Sequence, residues 1–415
     1  MHFIELGLLP EITENTDALG YQAPTPIQEK AIPIILEKKD LMAGAQTGTG
    51  KTAAFALPLI HNVLLRKKTQ PESVIQTLVL TPTRELALQV HESFERYSQS
   101  LNVRSVAAYG GASLNVQIKS LKQGCDILVA TPGRLLELLM KELIDISSLQ
   151  TLVLDEADRM LDMGFIVDIK RILKKLPSSR QTLFFSATFN DDIFTLSKTL
   201  LNAPELIEVN QRNSVVSSVD QSFYSVDKHK KSGFVSYFIG WKNWHQVLVF
   251  TRTKQGADEL ASEMNKDGIK AQAIHGDKSQ GARNRALADF KAGKVRALVA
   301  TDVAARGIDI DQLQYVINHE LPYQAEDYIH RIGRTGRAGE SGVAVSLVTE
   351  KERYLLADIE TLLKESAMLQ WLPGFEPDLT QQDSTKPKRP PSKKELRAKA
   401  LGLTAKKPNK KRPRR

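Results

Sequence analysis

Cysteine is almost missing from this chain: Cys125 is the single one in 415 residues. That excludes an internal disulfide framework and any cysteine-rich zinc site, and leaves Cys125 as a small side chain suited to the interior. Long apolar runs are missing as well, none approaching the roughly 18 residues of a membrane span. The opening residues, MHFIELGLLPEITENTD, lack the basic region of a secretory signal. A cytoplasmic protein with no membrane partner is therefore expected. What is there, 41% hydrophobic and 25% charged residues, is an ordinary globular composition. The length is too great for one ordinary domain and suggests two, with a tail.

Acidic residues nearly vanish at the C-terminal end. From Lys386 to Arg415 fourteen Lys and Arg face one acid, Glu395, so of the formal +9 this segment carries +13 and the remaining 385 residues −4. A Pro- and Lys-rich stretch with so little to bury is expected to be disordered and to favour polyanions, the alternative being a solubilising tail without a partner.

Short apolar runs alternate with amphipathic stretches along the rest. Candidate strands are Thr77 to Thr81, Ile127 to Ala130, Thr151 to Leu154 and Thr182 to Phe185; after Leu206 to Asn210 the pattern is lost in a polar stretch through Ser218, which suggests a linker. The pattern resumes with Val247 to Phe250, Ala271 to Ile274, Ala297 to Thr301, Tyr315 to Asn318 and Val343 to Val348. Such strands, separated by helical segments, predict parallel sheets covered on both faces, hence two α/β domains.

Between the apolar stretch Leu41 to Ala43 and a helical stretch lies the loop Ala45, Gln46, Thr47, Gly48, Thr49, Gly50, Lys51, Thr52. Gly48 and Gly50 let backbone N–H groups turn onto phosphate oxygens, Lys51 brings a charge to the β- and γ-phosphates, and Thr52 offers a hydroxyl to Mg²⁺. Ala45 stands where the strict motif has Gly, and a Gly-rich turn before a helix is the plainer alternative. The second domain has no such loop and must serve another purpose. The run Thr151 to Leu154 leads into Asp155, Glu156, Ala157, Asp158. Carboxylates at the carboxyl end of a buried parallel strand stand where an open sheet places its ligand chemistry. Asp155 is suited to hold Mg²⁺ and Glu156 to orient or deprotonate an attacking water. Acids favourable to a helix dipole are the alternative.

These residues spell DEAD, and the sequence resembles the DEAD-box ATP-dependent RNA helicases from Phe3 to about Val348. The family's blocks stand in order: Phe3, Gly20-Tyr21 with PTPIQ (Pro24 to Gln28), AQTGTGKT, PTRELA (Pro82 to Ala87), Gly110-Gly111, TPGR (Thr131 to Arg134), DEAD and SAT (Ser186 to Thr188). VFTRT (Val249 to Thr253), Gln280 with Arg283, ATDVAARGID (Ala300 to Asp309) and HRIGRTGR (His330 to Arg337) complete them. The family tolerates Ala at position 45. ADRMLDMGF (Ala157 to Phe165), HGDKSQGAR and the basic tail look most like the bacterial RhlE-type subgroup.

The resemblance implies two tandem RecA-like domains: 1–207, binding ATP, and 219–370, joined by a linker at 208–218 and followed by a tail at 371–415. It implies RNA-stimulated ATP hydrolysis with ATP and Mg²⁺ as cofactors, and RNA as partner. Gln28 would read the adenine edge, with Tyr21 or Phe3 stacking on the base and Asp309 on the ribose. Arg334 and Arg337 would act as arginine fingers on the γ-phosphate; a basic patch for RNA phosphates is the alternative for HRIGRTGR. Ser186, Thr188 and His330 would couple the sites. RNA contacts fall on Arg84, Gly110, Gly111, Thr131, Arg134, Thr253, Arg283 and Thr301, groups suited to phosphates and 2′-hydroxyls and so to binding without sequence preference. Ribosome assembly or RNA turnover is the expected setting, with ribosomal precursors or degradation proteins as further partners of a monomeric core. The rivals are a DNA helicase or translocase and an annealing protein with a vestigial ATPase.

Overall fold

Short runs of Val, Leu, Ile and Ala cannot leave either face in water, so they pair side by side and are covered from both sides. The computed structural model describes residues 2–44, 49–186, 191–208, 219–305, 313–336 and 342–378, and in them fourteen strands form two parallel sheets. The first holds β1 Leu41–Gly44, β2 Thr77–Leu80, β3 Ser105–Ala108, β4 Ile127–Ala130, β5 Thr151–Leu154, β6 Gln181–Ser186 and β7 Glu205–Glu208. Their order is β3-β4-β2-β5-β6-β1-β7. The second holds β8 Val219–Ser225, β9 Val247–Thr251, β10 Ala271–Ile274, β11 Ala297–Thr301, β12 Tyr315–Asn318, β13 Gly342–Val348 and β14 Leu369–Gln370. Their order, β10-β11-β9-β12-β13-β8-β14, repeats that of the first with every index raised by seven.

Side chains alternate between the two faces. In the first sheet Val79, Val129, Val153 and Phe185 join Phe55 and Phe94 on one side, while Leu78, Leu128, Leu152 and Phe184 pack on the other. Each such buried side chain contributes roughly 1.5–3 kcal/mol. Cys125 belongs to this core and is buried, which pushes its thiol up to about 12. Helices begin where hydroxyl side chains close the first turn: Thr83 accepts from Leu86 N at 3.2 Å and Thr253 from Gly256 N at 3.0 Å. Because every strand is parallel, these helix starts collect at the carboxyl edges of the sheets.

Three strands escape the expectation drawn from continuous apolar runs: β3, β8 and the two-residue β14. The linker positions 209–218 and the basic tail from 379 onward lie outside the described residues. Among the described residues no helix is long and apolar enough to cross a membrane.

Candidate functional site

At the carboxyl edge of the first sheet, β1 ends at Gly44 and the helix Lys51–Lys67 starts from Gly50, whose φ of 89° is left-handed. A Cβ on Gly50 would meet Gln28 Nε2 at 2.4 Å, so only glycine fits this approach. Gln28 Nε2 donates to Gly50 O at 3.1 Å, Thr25 Oγ1 donates to Thr49 O at 2.9 Å, and Gln28 Oε1 accepts from Thr25 N at 2.9 Å. The helix Pro26–Leu36 is thereby tied to the end of the loop. Ala45, Gln46, Thr47 and Gly48 lie outside the described residues. Tyr21 is half-buried, its hydroxyl 3.3 Å from that of Tyr97, whereas Phe3 is fully committed to the core.

Lys51 is 6% exposed, and its Nζ has no hydrogen-bond partner among the described residues. Asp155, directly after β5, is 3% exposed with its Oδ1 equally unpartnered. Burial pushes the Asp155 carboxyl up to about 6, against the pull of Lys51 and helped by Glu156 and Asp158. A buried ammonium and a buried carboxylate oxygen, near each other yet both lacking partners, fit a ligand that carries phosphate and a divalent cation together. Among the described residues no three His, Cys, Asp or Glu side chains converge as a metal cage. That donor set suits Mg²⁺, which keeps its waters and leans on one or two carboxylates and the substrate phosphates. Glu156 has φ 53° and ψ 51°, a left-handed conformation costing a non-glycine residue about 1–3 kcal/mol. Its Oε2 lies 3.1 Å from Arg159 Nη1, and both side chains are buried.

Across from this edge the second domain brings the helix Ala325–Ile332 and the turn after it. His330 and Arg334 line a narrow pocket together with Arg159, so the two domains meet there. Arg331 is held inside its own domain by Asp302 (2.5 and 2.8 Å), Asn318 Oδ1 (3.2 Å) and Glu320 O (2.6 Å). Ser186 ends β6 and is buried. Thr188, Asp309 and Arg337 lie outside the described residues.

The residues expected to touch RNA also stand at strand ends. Arg84 follows β2, and its Nη1 would be 2.0 Å from a Cβ on Gly111, whose φ is 78°; Gly110 adjoins them. Arg134 donates to Gln117 Oε1 at 2.6 Å and Ala112 O at 3.0 Å. Thr131 precedes the helix Pro132–Met140 and Thr301 closes β11, both buried. Arg283 pairs across the domains with Glu85 at 2.9 Å, and Gln280 donates to the same carboxylate at 3.1 Å. Sequence reasoning missed Glu85, Arg159 and Asp302. For Arg159 the available signal was its place three residues after Glu156, one helical turn along.

Residues 25–196 match the family model DEAD/DEAH box helicase, and residues 230–339 match Helicase conserved C-terminal domain. The chain is 44% identical over 363 residues to the ATP-dependent RNA helicase CshA of Listeria monocytogenes, covering 88% of this chain and 69% of that one. It is 43% identical over 362 residues to the DEAD-box ATP-dependent RNA helicase CshA of Geobacillus kaustophilus, covering 87% and 76%. Among solved structures, S. cerevisiae Dbp5 bound to RNA and ADP BeF3 superposes with a TM-score of 0.80 at 31% identity, over 91% of this chain and 95% of that one.

Proposed function

Since the chain belongs to the DEAD-box family of ATP-dependent RNA helicases, enzymes with ATPase activity, we propose that it opens short RNA duplexes locally by closing its two domains on ATP and RNA. The observation that carries this reading is the buried pair of Lys51 Nζ and Asp155 Oδ1 at the edge of the first sheet, neither with a hydrogen-bond partner among the described residues. Lys51 and the backbone of residues 45–52 bind the phosphates, and Gln28 selects adenine with Tyr21 against the base. Asp155 and Thr52 are the residues to hold Mg²⁺, which when bound shields the phosphate charge. Glu156 orients the attacking water and takes its proton. Arg334 and Arg337 steady the charge that develops on the γ-phosphate, Asp309 holds the ribose, and Ser186, Thr188 and His330 link hydrolysis to domain movement.

RNA lies on Arg84, Gly110, Gly111, Thr131, Arg134, Thr253, Arg283 and Thr301. The Thr253 hydroxyl accepts from Gly256 N and still has its proton to donate. Contacts of this kind grip backbone, so base sequence should matter little. The domain limits 1–207 and 219–370, the RhlE-type subgroup, a cytoplasmic setting and a role in ribosome assembly or RNA turnover belong to the same proposal. They rest on the motif order and on the basic residues 386–415.

The test is ATP hydrolysis with RNA against DNA of the same sequence, for the native chain and Glu156→Gln. RNA should stimulate and DNA should not. Glu156→Gln should still bind ATP and RNA yet turn over about 10²–10⁴-fold more slowly. Stimulation by DNA, or near-normal turnover of the variant, overturns the reading.

A further inference from the structure

The cation beside Glu156 has no assigned work. Arg159 is 2% exposed, on the short helix Ala157–Asp162, and its one described side-chain partner is the Glu156 carboxylate at 3.1 Å. Nη1 and Nη2 make no hydrogen bond among the described residues. Burying a guanidinium is costly unless its fork of donors is satisfied, and removing such a cation leaves its carboxylate partner alone in the interior. The pocket that Arg159 lines is walled by the second domain, through Asp302, Asp327, His330, Arg331 and Arg334. Asp302 is held bidentately by Arg331, which fixes that acid rigidly in the second domain at the Arg159 side of the cleft.

From this placement we infer that Arg159 is a positioning residue: it holds the Glu156 carboxylate toward the attacking water and donates its remaining N–H groups to the acids of the second domain when the domains close. Two requirements meet in one side chain. Glu156 sits on a left-handed backbone with Arg159 paired to its carboxylate, and Arg159 has donors without hydrogen bonds among the described residues and lines a pocket whose other walls belong to the second domain. Domain closure thereby reaches the proton-accepting group through one ion pair, and a chain with its domains apart holds Glu156 less firmly. The inference rests on the assignment of Glu156 above and concerns how that carboxylate is aimed, not what it does.

The experiment compares Arg159→Ala, Arg159→Lys, Glu156→Gln and the double variant Glu156→Gln with Arg159→Ala, in the full-length protein with a fixed RNA. For Arg159→Ala the expected result is a fall in RNA-stimulated kcat of at least about tenfold, the KM for ATP staying within about threefold. Arg159→Lys keeps the charge and much of the volume and should recover part of that loss. In the Glu156→Gln background the Ala substitution should change the residual rate by less than about twofold, because the two residues act as one unit. An unchanged kcat, a loss confined to KM, or an equal loss in the Glu156→Gln background overturns the inference. The last two outcomes would instead make Arg159 a direct phosphate contact or a purely structural residue. If Arg159→Ala does not fold, Arg159→Lys in the two backgrounds carries the same comparison. Glu156→Gln alone reports on the underlying assignment: an active variant there fails that assignment, whereas an inactive one beside a fully active Arg159→Ala fails only this inference.

Discussion

The two sheets have one strand order, and their corresponding edges have opposite fates. After β1 the helix starts at Lys51, whose ammonium is buried without a hydrogen-bond partner among the described residues; at the equivalent place after β8 the helix starts at Lys231, also buried but satisfied. Lys231 Nζ donates to His319 O at 2.8 Å, Leu347 O at 2.9 Å and Glu352 Oε2 at 2.6 Å. Glu352 in turn pairs with Arg252 at 2.8 Å. After β5 stands Asp155, and at the matching place after β12 stands His319, a neutral group. The first edge leaves Lys51 Nζ and Asp155 Oδ1 without partners among the described residues; the second has folded two carbonyls and Glu352 onto Lys231, and there the ring nitrogens of His319 are the buried groups without hydrogen bonds. The same scaffold thus yields one edge built for phosphate and one built for rigidity, which leaves the second domain to act by what it brings to the first.

The sharpest way to break this comparison is to remove each lysine. Lys51→Ala should abolish ATP binding and lower RNA-stimulated ATPase by about 10³-fold or more, with little change in melting, read by nucleotide binding and turnover. Lys231→Ala should do the reverse. It leaves the buried Glu352 with Arg252 as its one cationic partner among the described residues and should cost about 1.5–3 kcal/mol of stability, with nucleotide affinity of the folded protein unchanged. Denaturant unfolding followed by a second-domain tryptophan such as Trp244 measures it. Loss of ATP binding in the Lys231 variant without destabilisation would end the idea of an internally filled edge.

A smaller effect separates the edges by pH. Burial first, then Lys231, lowers the His319 imidazole from 6.5 to about 4. Between those values the unfolded chain binds the extra proton, so stability is intact above 6.5 and falls as pH drops toward 4, by about 3 kcal/mol at most. Asp155 has the opposite sign. Its carboxyl is raised from 3.8 to about 6, so its contribution is favourable below 3.8 and is lost as pH rises through 6. The two contributions oppose each other in the native chain, so the measurement is the difference in melting between the native chain and His319→Gln from about pH 7.5 to about 4.5: the variant should gain on the native chain as pH falls, and a constant difference would remove His319 from the account. Smaller still at the active edges, deleting residues 386–415 should reduce the slope of log affinity for single-stranded RNA against log salt. About four phosphate contacts at roughly 0.7 each give a change near 3, with kcat at saturating RNA preserved.

Sequence sufficed where a motif is contiguous or a strand is apolar throughout. The position of Asp155 and Glu156 at a strand end could be read because they directly follow the run Thr151 to Leu154, and that of Lys51 at a helix start because glycine and lysine stand in fixed spacing. β8 was invisible because VDQSFYS is buried at only some positions, and β3 because it alternates at a sheet edge. The set around Lys231 could not be read at all, since positions 231, 319, 347 and 352 are joined only by the fold. Arg283 and Glu85, 198 positions apart, meet for the same reason.

The contact between Gln28 and Gly50 has one more consequence. Among the described residues the carboxamide uses one donor on Gly50 O and one lone pair on Thr25 N, so one hydrogen and one lone pair remain for a base edge. Recognition of the base then needs no rupture of the strut that steadies the phosphate loop. Under the proposed role of Gln28 the two ends of a nucleotide would be read through a single amide, and by thermodynamic reciprocity whatever one end does for the other is returned in equal measure. On that proposal, a base that satisfies Gln28 would stiffen the grip on phosphate, and a well-held phosphate would make the choice of base more exacting. Discrimination and affinity are one coupling measured from opposite ends.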